Sequence, residues 1–197
     1  MTTRAEAAER TGERILDAML ARFADTPYEH VRLEDVAADA GVTVQTVIRR
    51  FGGKAALMVG VAERELERIV EARTSAGAAS PGSVLAALVQ HYERYGDLIL
   101  KMYSEAPLVP GLPELAARGR SYHVAWCQGV FADRLPLEGA LRARRIAQVV
   151  ALCDATTWRI LRRDGALTPM ETETALAELL QPLLSPAVDE GGAGPAS

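Results

Sequence analysis

The chain has 197 residues, is 49% hydrophobic and carries a formal charge of -4, with a sequence pI near 5.5. That length and composition suit one compact domain or two small ones sharing a core, and the acidic balance gives no general case for nucleic acid or anionic membrane, so either must rest on local charge. No apolar run approaches the ~18 residues that span a bilayer, the N-terminus lacks the apolar centre of a signal peptide, and Cys127 and Cys153 do not make a disulfide framework. The expectation is a soluble, cytoplasmic chain with no membrane contact and both thiols reduced.

Ala, Leu, Glu and Arg dominate, and no window alternates as a strand does, so the fold class is all-α with about nine helices. Ile15, Leu16, Met19, Leu20 and Phe23 line one stripe of a first helix, and Leu33, Val36, Ala37 and Ala40 line a shorter second one. Gly41 then stands where a left-handed backbone is needed, Val42 can fold back on the core, and Thr43 is a good N-cap. The helix it opens runs from Val44 to about Phe51, with Val47 and Phe51 inward, Val44, Gln45, Ile48 and Arg49 outward, and Thr46 and Arg50 on the flanks. Breaks follow at Thr74 to Gly82 and at Ala106 to Pro113, and Pro186 to Ser197 reads as a disordered tail.

Leu141 to Arg162 reads as one helix with two apolar faces. Ile146, Val149, Val150, Cys153, Ile160 and Leu161 form a bulky face, and Ala140, Ala143, Ala147, Ala151 and Ala155 a small one. Such a helix is covered on both sides, either inside its own domain or in a four-helix homodimer interface with the last helix. That last helix starts at a Thr168-Pro169-Met170-Glu171 capping box and runs to about Gln181, where Pro182 should end or kink it.

One charge feature stands out in this acidic chain. From Ala40 to Ala62 there is no carboxylate, while Arg49, Arg50 and Lys54 fall inside the interval. A helix, a glycine-containing turn and a second helix make the layout of a helix-turn-helix, whose second helix enters the major groove with its N-terminal residues at the base edges. Phosphates would explain the cleared carboxylates. An ordinary helical hairpin with a chance basic run would read the same way, because residues 1 to 57 hold eight Lys+Arg against nine Asp+Glu.

The segment "VRLEDVAADAGVTVQTVIRRFGGKAALM" resembles the DNA-binding part of the TetR family of transcriptional regulators, with Ala40, Gly41, Val42, Thr43, Phe51, Lys54 and Leu57 in the family's register. The resemblance implies a helix-turn-helix DNA-binding domain at 1–57, a helical effector-binding and dimerisation bundle at 58–185, and the tail at 186–197. It also implies a repressor that binds a palindromic double-stranded DNA operator as a homodimer, paired through the helices around 141–162 and 169–181, and answers a small-molecule effector.

In the DNA-binding set, which Thr43 opens, residues matching Val44, Gln45 and Ile48 meet base edges, and those matching Thr46, Arg50 and Lys54 meet phosphates. Side-chain chemistry agrees. Glutamine can make a bidentate bond to adenine, Val44 and Ile48 offer apolar contact to a thymine methyl, and Arg49, Arg50 and Lys54 can neutralise phosphates. The departures are Ile48 for a usual tyrosine, Gln45 for a common glycine, Arg50 for a common aromatic, and Arg32 near a common Ser or Thr cap. Arg49 and Arg50 are expected to take over the anchoring that the tyrosine would supply.

For the effector, His91, Tyr92, Tyr95, Met102, Tyr103, Tyr122, His123, Trp126 and Trp158 are candidates. Amphipathic aromatics with polar tips suit a pocket wall, and equally an ordinary helical core, with both histidines expected at the surface. Three histidines and two distant cysteines argue against a metal site, no cofactor is implied, and catalytic motifs of hydrolases, zinc proteases and phosphate loops are missing, so no enzyme is expected. The rival reading is a helical dimeric sensor or protein-interaction module without specific DNA binding.

Overall fold

A computed structural model describes residues 4–76 and 81–184. Part of the Thr74 to Gly82 break and the 186–197 tail lie outside the described residues. Among those described, nine α-helices and no strand occur: α1 (Arg4–Asp25), α2 (Leu33–Asp39), α3 (Val44–Phe51), α4 (Lys54–Ala76), α5 (Pro81–Glu105), α6 (Leu112–Val130), α7 (Gly139–Leu152), α8 (Ala155–Arg159) and α9 (Pro169–Leu184). Short 3-10 turns stand at Tyr28–His30, Ala106–Leu108 and Ala132–Arg134, and a π turn at Ile160–Asp164. None of these helices is long and apolar enough to cross a membrane.

Two cores organise the chain. The first gathers the α1 stripe, with Ile15, Met19 and Phe23 fully buried, around Val36, Val47, Leu57, Met58 and Val61, and takes in Val109, Leu112 and Leu115. It explains why such short helices as α2 and α3 persist: each contributes one or two wholly buried side chains to a shared core, which stabilises them beyond their own propensity. The second core joins α5 to α6, α7, α8 and α9 through Leu88, Tyr92, Cys127, Val149, Trp158, Leu176 and Leu180. α4 runs unbroken through position 57, so the division at 57/58 falls within a helix.

The helix expected over Leu141 to Arg162 is broken in two. α7 ends at Leu152, and Asp154, extended at φ -79° and ψ 153°, accepts the backbone N–H of Thr156 at 2.8 Å to cap α8. Asp154, and Thr157, whose hydroxyl donates to the Ala151 carbonyl at 2.6 Å, offer the backbone competing bonds, so the chain restarts rather than continues. The restart aims Trp158 at α5, where Gly96 leaves room that a Cβ would close. Its indole Nε1 donates to Glu93 at 3.0 Å, and Arg162 Nε donates to the same carboxylate at 2.9 Å.

α9 also runs further than the sequence indicates. Pro182 lies inside it, and the helix continues to Leu184. A proline so near a C-terminus removes little, because few further turns depend on its missing N–H. The capping box that opens α9 forms as expected: Thr168 N donates to Glu171 Oε2 at 2.8 Å and Glu171 N donates to Thr168 Oγ1 at 3.2 Å.

Candidate nucleic-acid interface and internal cavity

The turn between α2 and α3 is built from three local devices. Gly41 takes φ +65°, as the chain reversal requires. Val42 N donates to the Ala37 carbonyl at 2.9 Å, closing the end of α2. Thr43 caps α3 by accepting the Thr46 N–H at 3.2 Å. Arg32 precedes α2 without a side-chain cap bond, so α2 lacks the hydroxyl that usually opens it.

α3 buries Val47 completely and half-buries Phe51 and Val44, while Thr43, Gln45, Arg49 and Arg50 are exposed, and Ile48 is 40% exposed. At that exposure Ile48 is available for apolar contact on the outer face of α3. Arg50 lies across Gly12 of α1, whose Cβ, if present, would collide with the guanidinium. Arg49 has no such rest. Asp39, the last acid before the interval, is engaged by Arg22 Nε at 2.5 Å and Nη2 at 2.9 Å. That hydrogen bond holds the carboxylate below its usual pKa, and its charge is answered at close range.

Lys54, which the resemblance assigns to phosphate, is held by the protein's own groups in the DNA-free chain. Its ammonium donates to the Glu29 carbonyl at 3.1 Å and sits 4.3 Å from the Tyr28 ring centroid. Partial burial lowers its pKa. It ties the start of α4 to the Tyr28–His30 turn.

The larger section holds a partly open cavity of about 80 Å³ between α4, α5, α6 and the start of α8. Of the sequence candidates, His91, Tyr92, Met102, Tyr103, Tyr122 and His123 line it. Tyr95 and Trp126 open instead on a neighbouring cleft of about 510 Å³. Trp158 reaches neither and belongs to the second core, 1% exposed.

Both histidines, expected at the surface, are buried at 8% exposure. His123 Nδ1 lies 3.2 Å from Arg73 Nη1 and its Nε2 lies 3.2 Å from the Val150 carbonyl. Burial, then the nearby charge of Arg73 and that of His123, push His91 down to a pKa of about 3. Burial raises the pKa of Tyr92, Tyr103 and Tyr122. The two cysteines are free and buried.

Aromatic composition did not lead to Arg73, Asp154 or the aliphatic wall of Leu66, Ile69, Leu98 and Ile99. A signal for Arg73 was available: Leu66, Ile69 and Arg73 follow one another at helical spacing, putting an arginine on an apolar stripe.

A short helix with an open, carboxylate-free face, held by a glycine turn against α2 and joined to a helical bundle with an internal cavity, defines a helix-turn-helix DNA-binding regulator. Residues 15–61 match the profile of the bacterial regulatory proteins, tetR family. Over 187 residues the chain is 28% identical to the HTH-type transcriptional repressor KstR of Mycolicibacterium smegmatis, covering 87% of each. Its fold is like that of a transcriptional regulator from Rhodococcus sp. Rha1, with a TM-score of 0.71 at 17% identity, covering 88% of this chain and 95% of that one. It is also like that of NalD from Pseudomonas aeruginosa, the secondary repressor of the MexAB-OprM multidrug efflux pump, with a TM-score of 0.60 at 22% identity over 89% and 96%. The match places a TetR-family DNA-binding domain at residues 15–61, and the chain is a DNA-binding transcriptional regulator.

Proposed function

We propose that the protein is a cytoplasmic, effector-responsive repressor that binds a palindromic operator as a homodimer. The observation that carries the DNA reading is the outer face of α3, where Gln45, Ile48 and Arg49 stand exposed and no acid intervenes. Gln45 addresses adenine, Val44 and Ile48 a thymine methyl, and Thr43, Thr46, Arg49 and Arg50 the phosphates on either side. Lys54 would join them by leaving its tie to Glu29. Repression is inferred from likeness to a repressor, and is the sign to be tested.

Dimerisation is supported by what one chain leaves uncovered. Ala140, Ala143, Ala147 and Ala151 on α7 are exposed, as are Ile160 at 50% and Leu179 at 44%. Small side chains beside a few bulky ones let a second copy approach closely, in a contact of α7, α8 and α9 with their two-fold mates. Two α3 helices would then face half-sites about 34–36 Å apart, or a multiple of it. A ligand that prefers one bundle arrangement alters that spacing and so the affinity for DNA. Sedimentation of the protein alone and on an operator fragment tests this: two chains per fragment are expected, and a monomer in both states excludes it.

A further inference from the structure

We infer that the cavity between α4, α5 and α6 takes an amphipathic organic acid, its carboxylate held at Arg73 and its apolar body against Leu66, Ile69, Leu98, Ile99, Met102 and Leu112. The inference rests on the reading that this cavity is the effector site, and names what enters it.

Arg73 is the only arginine on the cavity wall among the described residues, and it is 7% exposed. A guanidinium stays charged wherever it is placed, and a buried charge is costly unless an opposite charge answers it. Here none does. Nη2 donates to the Tyr92 hydroxyl at 3.1 Å and Nη1 lies 3.2 Å from His123 Nδ1, neither of them an anionic partner, while Nε has no acceptor at all. Around the group stand the rings of Trp126, Tyr92 and Tyr122, at 4.9, 5.5 and 6.0 Å from the guanidinium carbon.

The acids on the same wall are already committed. Glu65 is paired with Arg64 at 3.1 Å and Arg68 at 3.0 Å. Asp154 accepts the Thr156 N–H at the start of α8, where the helix end favours its charge. No described carboxylate forms an ion pair with Arg73. His91, kept neutral by burial, adds no second positive charge, and its Nε2 is likewise without a partner.

Position and size narrow the class further. Arg73 and His91 line both the cavity and the adjoining cleft. A molecule entering through the cleft would therefore leave its charged end at the partition and its apolar end inside. The interior of about 80 Å³ leaves room for only a small apolar end. A single carboxylate suits the one unanswered cation.

The test uses the 197-residue protein with octanoate and phenylpropanoate against the matched alcohols, octanol and phenylpropanol. Tryptophan fluorescence gives affinity, since Trp126 stacks on Arg73, and thermal melting gives an independent readout. The acids are expected to bind and raise Tm, with Arg73→Met weakening them by about thirtyfold or more and leaving the alcohols unchanged. Arg73→Lys, which keeps the charge, should retain part of the acid binding, and serves if the methionine variant fails to fold. Equal binding of acids and alcohols, unaffected at Arg73, would overturn the proposal and leave an effector cavity of another class. No binding of any of the four would overturn it together with the effector reading.

Discussion

Glu105 at the end of α5 accepts the backbone N–H of Tyr28 through Oε2 at 2.6 Å, across 77 positions of sequence. Its other oxygen takes the Lys101 ammonium at 2.6 Å. The Tyr28 ring in turn carries Lys54, which holds the Glu29 carbonyl. Leu98, Ile99, Met102 and Tyr103, in the last turns of α5, line the cavity. The helix that forms the cavity wall is thus bolted to the turn that enters α2 and, through Lys54, to the end of the recognition unit.

This bolt gives a first prediction. Glu105→Ala removes a charged acceptor from a half-buried donor and should cost about 1.5–3 kcal/mol of stability, read by denaturant unfolding. Its DNA affinity should respond less to a bound effector than that of the parent. A variant with unchanged stability and unchanged response would show that the contact transmits nothing.

The anchoring role of Arg49 and Arg50 concerns salt. Each phosphate contact contributes about one unit to the slope of log K against log salt. Arg49→Ala/Arg50→Ala should flatten that slope by roughly two units per half-site and weaken all sequences alike. An unchanged slope would put the anchoring elsewhere.

Gln45 concerns sequence instead. Gln45→Ala should cost about 1–3 kcal/mol at one base pair of each half-site and relax discrimination there. A selection from random fragments before and after the change would expose the position. Uniform loss over all positions would mean that Gln45 does not read a base.

Much of this was legible in the chain itself. The turn chemistry of Gly41 and Thr43, the buried stripe of α1 and the Thr168–Glu171 box are local, and local rules found them. The division of α7 from α8 was hidden because apolar periodicity persists across Cys153, while one aspartate cap decides the backbone. The histidines and Arg73 were hidden for a different reason. Their burial depends on α4, α5 and α6 meeting at a distance in sequence, and polar residue types favour the surface by default. The tie of Lys54 to the Glu29 carbonyl was not legible, because a backbone carbonyl is not a side-chain signal.

Gly96 offers a packing test of the re-aimed α8. A Cβ there would run into the Trp158 ring, so Gly96→Ala should destabilise the second core by about 1–3 kcal/mol despite the better helix propensity of alanine. A stabilised variant would mean that Trp158 packs elsewhere.

His91 sets a pH dependence. Its pKa is pushed by burial from 6.5 to about 3. The unfolded chain therefore takes up a proton near pH 6.5 that the folded chain refuses until about pH 3. Stability is level above that window and declines as pH falls through it, by at most ~1.4 kcal/mol per pH unit. His91→Phe should flatten the decline in melts taken across the window. The same decline in the variant would assign it to other groups.

The central claim is that the open face of α3 reads DNA, and binding to DNA flanking the protein's own gene tests it most directly. The purified protein is titrated onto that fragment over a range of salt, against excess random DNA. The account predicts tight binding that survives the competitor and falls steeply with salt. Binding no tighter than to random DNA, there and to every fragment of a genome-wide selection, would contradict it.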